Sequence, residues 1–310
     1  VIATTILAIA VGPAPFASAE EDRDVREIVA QIEDALSDRA TSTSKDGLVF
    51  GGTEGSAVLL PADTGGEVKL TGAGGQRISF AFPHASTKGA REASKGLSIY
   101  DNADGTLTVP IVKTGGSVQV VSIIEDPTAP TRLDFIFDLP DGASISVTGG
   151  SAVITDSEGK WLAGVLPPLA VDADNNAVST RLEVRGRVVT QVVDHLTAEP
   201  EYPVTASATA ASQLISKVTR IADWNNQARY SVYRTAAGKN LAGAPAQTIL
   251  QTYGWPQAVA LAPSGFNTTS IHQQFDCHTV FARAKDPWNL EKGRPQNPNW
   301  PINPQECNWT

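Results

Sequence analysis

The sequence predicts an α+β protein: an N-terminal helix, an antiparallel β-sandwich-like domain, a helical connector and a small disulfide-stapled C-terminal α/β domain. Three observations predict it. Apolar residues at helical spacing occur on either side of a long segment in which apolar and polar residues alternate. Charge and aromatic content change near residue 207: nine Lys/Arg and five Asp/Glu follow, against 15 and 28 before it, and five of the six tryptophans lie in that last third. Both cysteines fall near the C-terminus, at 277 and 307. A chain of 310 residues with such an asymmetry reads as more than one domain.

Residues 1–19 read as a secretory signal peptide. Ile2 to Val11 is an apolar run too short to span a bilayer, and Ala17-Ser18-Ala19 offers the small residues that a signal peptidase inspects. Residues 20–44 are predicted as an acidic amphipathic helix, because Val25, Ile28, Val29, Ile32 and Leu36 share one face. It either packs on the next domain or serves as a spacer.

Residues 47–205 read as β throughout. Eight apolar runs recur: Ala57–Leu60, Val68–Leu70, Ile78–Phe82, Leu107–Val112, Val118–Ile124, Leu133–Leu139, Ile145–Val147 and Ala152–Thr155. Turn signals such as Ala103-Asp104-Gly105, Thr114-Gly115-Gly116 and Pro140-Asp141-Gly142 separate them. A hairpin is predicted with its turn at Arg185-Gly186. Residues 206–243 form the predicted helical connector, on the shared face of Leu214, Ile215, Val218, Ile221 and Trp224. Residues 244–310 form the C-terminal domain, with a helix over Pro245–Tyr253, closed by Gly254, and a strand over Ile271–Ala282. Pro295, Pro298, Pro301 and Pro304 then recur every third residue, the period of a polyproline II helix.

In an exported protein two cysteines usually pair. Cys277 and Cys307 would close a loop of about thirty residues, worth roughly 3–4 kcal/mol in the chain-entropy model. On the predicted strand, Asp276 and His278 share a face, and with His272 they are the candidate acid–base set; satisfied polar residues around a disulfide are the plainer reading. Trp288, Trp300 and Trp309, with Arg283 and Arg294, are candidates for binding a cell-wall polymer, a polysaccharide or another surface protein. The alternative for the tryptophans is core. Asp172, Asp174, Asn176 and Glu183 occupy positions 1, 3, 5 and 12 of a calcium-loop template, but Ala177 stands where the sharp turn wants glycine, and an Asx-rich turn explains the stretch more simply. No cofactor is expected, with calcium the candidate exception. The acidic balance speaks against nucleic acid as a partner. These readings point to a secreted or cell-surface binding protein without catalysis, the alternative being an exported hydrolase or toxin-like effector acting through His272, Asp276 and His278.

The blocks Gln274-Phe275-Asp276-Cys277-His278, Trp288-Asn289-Leu290-Glu291, Arg294-Pro295 and Cys307-Asn308 resemble a C-terminal module of exported actinobacterial proteins, domain of unknown function 2599. The likeness covers roughly residues 244–310. Val171 to Val204 is similar to a β region that precedes various C-terminal modules in such proteins, which implies a presenting role. The resemblance implies location and architecture; the family has no established activity.

Overall fold

The structure, a computed structural model, describes residues 97–197 and 199–296, Cys307, and before them residues 30, 32, 36, 39–40, 49–51, 56–61, 65–72, 75–83 and 91–93. The signal peptide read at 1–19 and most of the helix read at 20–44 lie outside the described residues.

The protein is mostly β, in three antiparallel sheets, which corrects the predicted α+β arrangement of N-terminal helix and helical connector. The strands in chain order are β1 (Val49–Gly51), β2 (Ala57–Leu59), β3 (Glu67–Thr71), β4 (Arg77–Ala81), β5 (Arg91–Ala93) and β6 (Leu97–Asp101). There follow β7 (Thr106–Lys113), β8 (Ser117–Ile124), β9 (Arg132–Asp138), β10 (Ser144–Thr148), β11 (Ser151–Thr155), β12 (Trp161–Val165) and β13 (Leu169–Val171). The last six are β14 (Thr180–Arg185), β15 (Val188–Val193), β16 (Val204–Ala211), β17 (Ile215–Trp224), β18 (Gln227–Arg234) and β19 (Trp288–Glu291).

Two sheets face each other. One runs β1-β2-β3-β4-β9-β15-β14; the other runs β10-β11-β12-β16-β8-β7-β6-β5, with β13 added beside β16. Alternation along the strands fills the space between them. On β9, Leu133, Phe135 and Phe137 point in, while Arg132, Asp134, Ile136 and Asp138 point to solvent. Phe80 packs against Phe137 with ring centroids 5.1 Å apart. On β16, Val204, Ala206, Ala208 and Ala210 face this core, so Thr205, Ser207 and Thr209 face away from it. The hairpin of β14 and β15 turns at Gly186-Arg187, one residue later than predicted, with Gly186 at φ +58°.

The outer face of the larger sheet is also partly apolar. Ile99, Val109, Ile111, Val121 and Ile123 form a second cluster there with Ile32, and Leu36 packs against it. The Ala40 N–H donates to the Val112 carbonyl at 2.9 Å, which ties the segment to β7.

The predicted connector is strand, for a physical reason. β16 is half alanine, a good helix former, yet it lies between β8 and β12/β13, and tertiary context overrides propensity. Bulges in β17 between Ile215 and Lys217, and between Ile221 and Trp224, reset the two-residue period. Ile215 and Val218 are therefore both buried although three residues apart, which imitates helical spacing.

β17, β18 and β19 make the third sheet. Its helices are α1 (Ala236–Asn240), α2 (Gln247–Ile249), a π turn over Leu250–Gly254, α3 (Trp255–Leu261) and α4 (Thr269–Phe281). The helical path from 247 runs on through Gly254, which was expected to end it. A Cβ at Gly254 would lie 3.2 Å from Leu250 Cδ2, a tight contact, and 3.5 Å from the Phe275 ring, an ordinary one. The predicted strand over Ile271–Ala282 is corrected to α4, whose N-cap Thr268 accepts from the Ile271 N–H. Its buried faces are 270/274/278 and 271/275/279, and the first is polar, so no apolar stripe marks the helix in the sequence. Val153, Leu166 and Ala211 of the sandwich share a core with this unit.

Candidate functional site

The outer face of the larger sheet forms the floor of a trough of about 620 Å³. Ser117 and Gln119 of β8 and Thr205, Ser207 and Thr209 of β16 lie on that floor; Leu169 and Val171 of β13, Ile32, and Ala236, Lys239 and Asn240 of α1 form the walls. The pairing sets this arrangement. Ser207 stands opposite Val121, and Thr209 opposite Gln119, so hydroxyls and an amide share one surface. Ser117 is fully buried, and its Oγ has no hydrogen-bond partner. Lys113 lines the same trough at 7% exposure. The sequence reading missed this site, because its polar groups lie on strands 80 residues apart and only the β8–β16 pairing joins them; the alternation of Thr205, Ser207 and Thr209 was the one visible signal.

The proposed acid–base set is divided by α4. His272 and Asp276, four residues apart, share a face, with Nε2 3.6 Å from Oδ1. The His272 ring stacks on Trp255 at 4.3 Å and 6°. Burial lowers the His272 pKa and pushes that of Asp276 up to about 6. Asp276 Oδ1 is buried and makes no hydrogen bond. His278, six residues past His272, is turned roughly 240° around the helix from it. It is 2% exposed, its Nδ1 lies 2.7 Å from the Gln274 carbonyl, and burial depresses its pKa to about 4. The two histidines thus point apart, and no single pocket joins the three residues. The strand on which Asp276 and His278 would share a face does not exist.

The other candidates are placed as follows. Trp288 is fully buried, with its indole N–H donating to the Ala282 carbonyl and the Arg234 guanidinium 4.1 Å from its ring, so it is core and not a stacking surface. Trp300 and Trp309 lie outside the described residues. Arg294 pairs with Glu291, and Arg283 lies against Gly243. Asp172 accepts from the backbone N–H groups of Asp174 and Asn176, at 3.0 and 2.8 Å, and closes an Asx turn. Glu183 sits on β14 between Arg132 and Arg181. Among the described residues no three His, Cys, Asp or Glu side chains are placed to hold a metal ion; of the calcium candidates, Asp172 accepts from the Asn176 side-chain amide at 3.2 Å, while Glu183 is held by the two arginines. Cys277 and Cys307 form a disulfide.

Residues 217–310 match a family of proteins of unknown function, DUF2599. The match begins inside β17, so the module includes β17 and β18, the strands against which β19 pairs, and not only the residues after 243. No curated protein matches the chain. Within the DUF2599 part, the blocks that carry the likeness hold the module together. Gln274 Nε2 donates to the Glu291 carbonyl at 2.9 Å, and its Oε1 accepts from the Glu291 N–H at 2.8 Å. Phe275 and Trp288 pack edge to face. Asn289 accepts from Ser231, and the Arg294 carbonyl accepts from Ser270. The half-buried pair His272–Asp276, whose carboxylate makes no hydrogen bond through Oδ1, lies in the same part.

Proposed function

We propose that the protein is an exported, surface-associated binding protein whose ligand lies in the trough between the larger sheet and α1. The observation that carries this reading is the trough. Its volume falls in the range of small-ligand sites, its floor is polar, and among the described residues its lining pairs no acid with a base. The separation of His272 and Asp276 from His278 favours binding over hydrolysis. Export rests on the segment ending at Ala17-Ser18-Ala19, and a cell-envelope polymer is the partner class that fits such a location.

Co-sedimentation with isolated envelopes of the producing cell tests the reading. Ser207→Trp fills the trough from its floor and should lower retention at least tenfold; His272→Ala and Asp276→Asn should be retained like the unaltered protein. Equal retention of Ser207→Trp, or soluble envelope fragments whose release stops in His272→Ala, would overturn it.

A further inference from the structure

We infer that the protein pairs with a second copy of itself along β10, so that the larger sheet of one protomer continues into that of its partner. This does not depend on the reading of the trough. β10 is the last strand of the larger sheet, and among the described residues no strand pairs with its free edge. An open edge presents a row of unpaired N–H and C=O groups, and proteins blunt it with short strands, charges, bulges or covering groups. The other edges follow that rule. β1 and β5 have three residues each. β14, the edge of the facing sheet, carries Arg181, Glu183 and Arg185. β17 is bulged twice and carries Lys217 and Arg220. On β19 the Gln274 side chain takes the N–H and C=O of Glu291. β10 has none of these devices. Its five residues, Ser144-Ile145-Ser146-Val147-Thr148, are uncharged, and its register with β11 is unbroken. All but Ile145 are exposed, Val147 at 49%.

The turn after β10 fixes which groups face outward. Gly149 and Gly150, both at positive φ, form a two-residue hairpin loop, so Thr148 and Ser151 are a hydrogen-bonded pair. Bonding alternates from there. Ser146 and Ser144 bond to β11, and the main-chain groups of Ile145 and Val147 point away from it.

The strand has the same pattern in either direction: polar, apolar, polar, apolar, polar about Ser146. A second β10 laid antiparallel, with Ser146 on the twofold axis, brings Ile145 opposite the partner's Val147. Each such pair exchanges both of its main-chain hydrogen bonds, because both residues are of the outward kind. Hydroxyls then meet hydroxyls, and the half-exposed Val147 is covered by the partner's Ile145. No like charges are opposed on the strand, although the chain carries −9 overall. Such self-complementarity is what a twofold interface needs, and it is why a second copy fits this edge better than a foreign strand. The axis stands perpendicular to the sheet, so both outer faces, and with them both troughs, lie on one side of the pair.

Sedimentation velocity of the full chain over a wide concentration range tests this. The parent should pass from monomer to dimer as concentration rises. Val147→Pro removes an outward N–H that β11 does not use, a change that an edge strand tolerates, and should raise the dimer dissociation constant at least tenfold. Ser146→Lys and Ser146→Glu each set like charges face to face on the axis and should be monomeric, yet dimerise when mixed in equal amounts. Ser144→Lys, which faces the partner's Thr148 and not its own copy, should dimerise nearly as the parent does. Ser146 is exposed, so its two variants carry the test should Val147→Pro fail to fold. A parent that stays monomeric, or a dimer that a folded Val147→Pro leaves unchanged, overturns the inference. So does a Lys–Glu mixture that associates no better than either variant alone.

Discussion

Gln274 is a side chain that acts as backbone. It is fully buried on α4, and its amide donates to the Glu291 carbonyl at 2.9 Å and accepts from the Glu291 N–H at 2.8 Å, at the end of β19. Gln274→Leu keeps the approximate volume and removes both bonds. Glu291 is itself buried, so its N–H would be left without a partner, while its carbonyl keeps the Arg294 N–H at 3.2 Å. An unsatisfied buried polar group costs about 1–3 kcal/mol, and losing one of two bonds to the carbonyl adds about 0.5–1.5 kcal/mol. The added apolar surface of leucine returns about 1 kcal/mol. The expected net loss is ~2 kcal/mol. Urea unfolding followed by tryptophan fluorescence reads it, because Trp255 and Trp288 both pack on Phe275, the residue after Gln274. With a slope of about 1–3 kcal/mol per molar urea, the midpoint should fall by roughly 0.7–2 M. Gln274→Glu keeps the shape, loses the donor and buries a carboxylate, and should be at least as damaging. A Gln274→Leu midpoint within about 0.3 M of the parent would refute the clamp.

Replacing Cys277 and Cys307 together by serine reopens a sequence separation of 30 residues. The same fluorescence transition should lose roughly 3–4 kcal/mol, and an unchanged midpoint would mean that the tail is held without the bond. The pH dependence of stability contains two opposed contributions. His278 titrates at 6.5 when unfolded and at about 4 when folded, so its contribution is full above 6.5 and is lost as pH falls toward 4. Asp276 titrates at 3.8 when unfolded and at about 6 when folded, so its contribution is full below 3.8 and is lost as pH rises toward 6. Burial of His272 adds in the direction of His278. Between pH 4 and 6 the terms largely offset. Asp276→Asn should therefore become markedly more stable as pH rises from 4 to 6.5, and a flat profile in that variant would contradict the burial of His278.

What the sequence determined by itself is what local chemistry dictates. All eight apolar runs between 57 and 155 lie within or overlap strands, because alternation and the glycine turns between them are local patterns. The disulfide was expected from two cysteines in a chain read as exported, and the Phe275–Cys307 blocks resembled the family whose model matches. The tertiary structure decided the rest. β17 imitated a helix because bulges, which arise only in a paired sheet, stretched its two-residue period to three. α4 imitated a strand because its buried face carries Ser270, Gln274 and His278; the first two bond to the loop after β19 and to β19, and His278 to the Gln274 carbonyl. That single change separated His278 from His272 and Asp276, since on a helix it is the fourth residue, and not the second, that returns to the same face. The trough was out of reach for the same reason. Burial, orphaned hydroxyls and field depend on which distant residues share a surface, and the chain establishes that only by pairing β16 with β8 and laying α1 beside them.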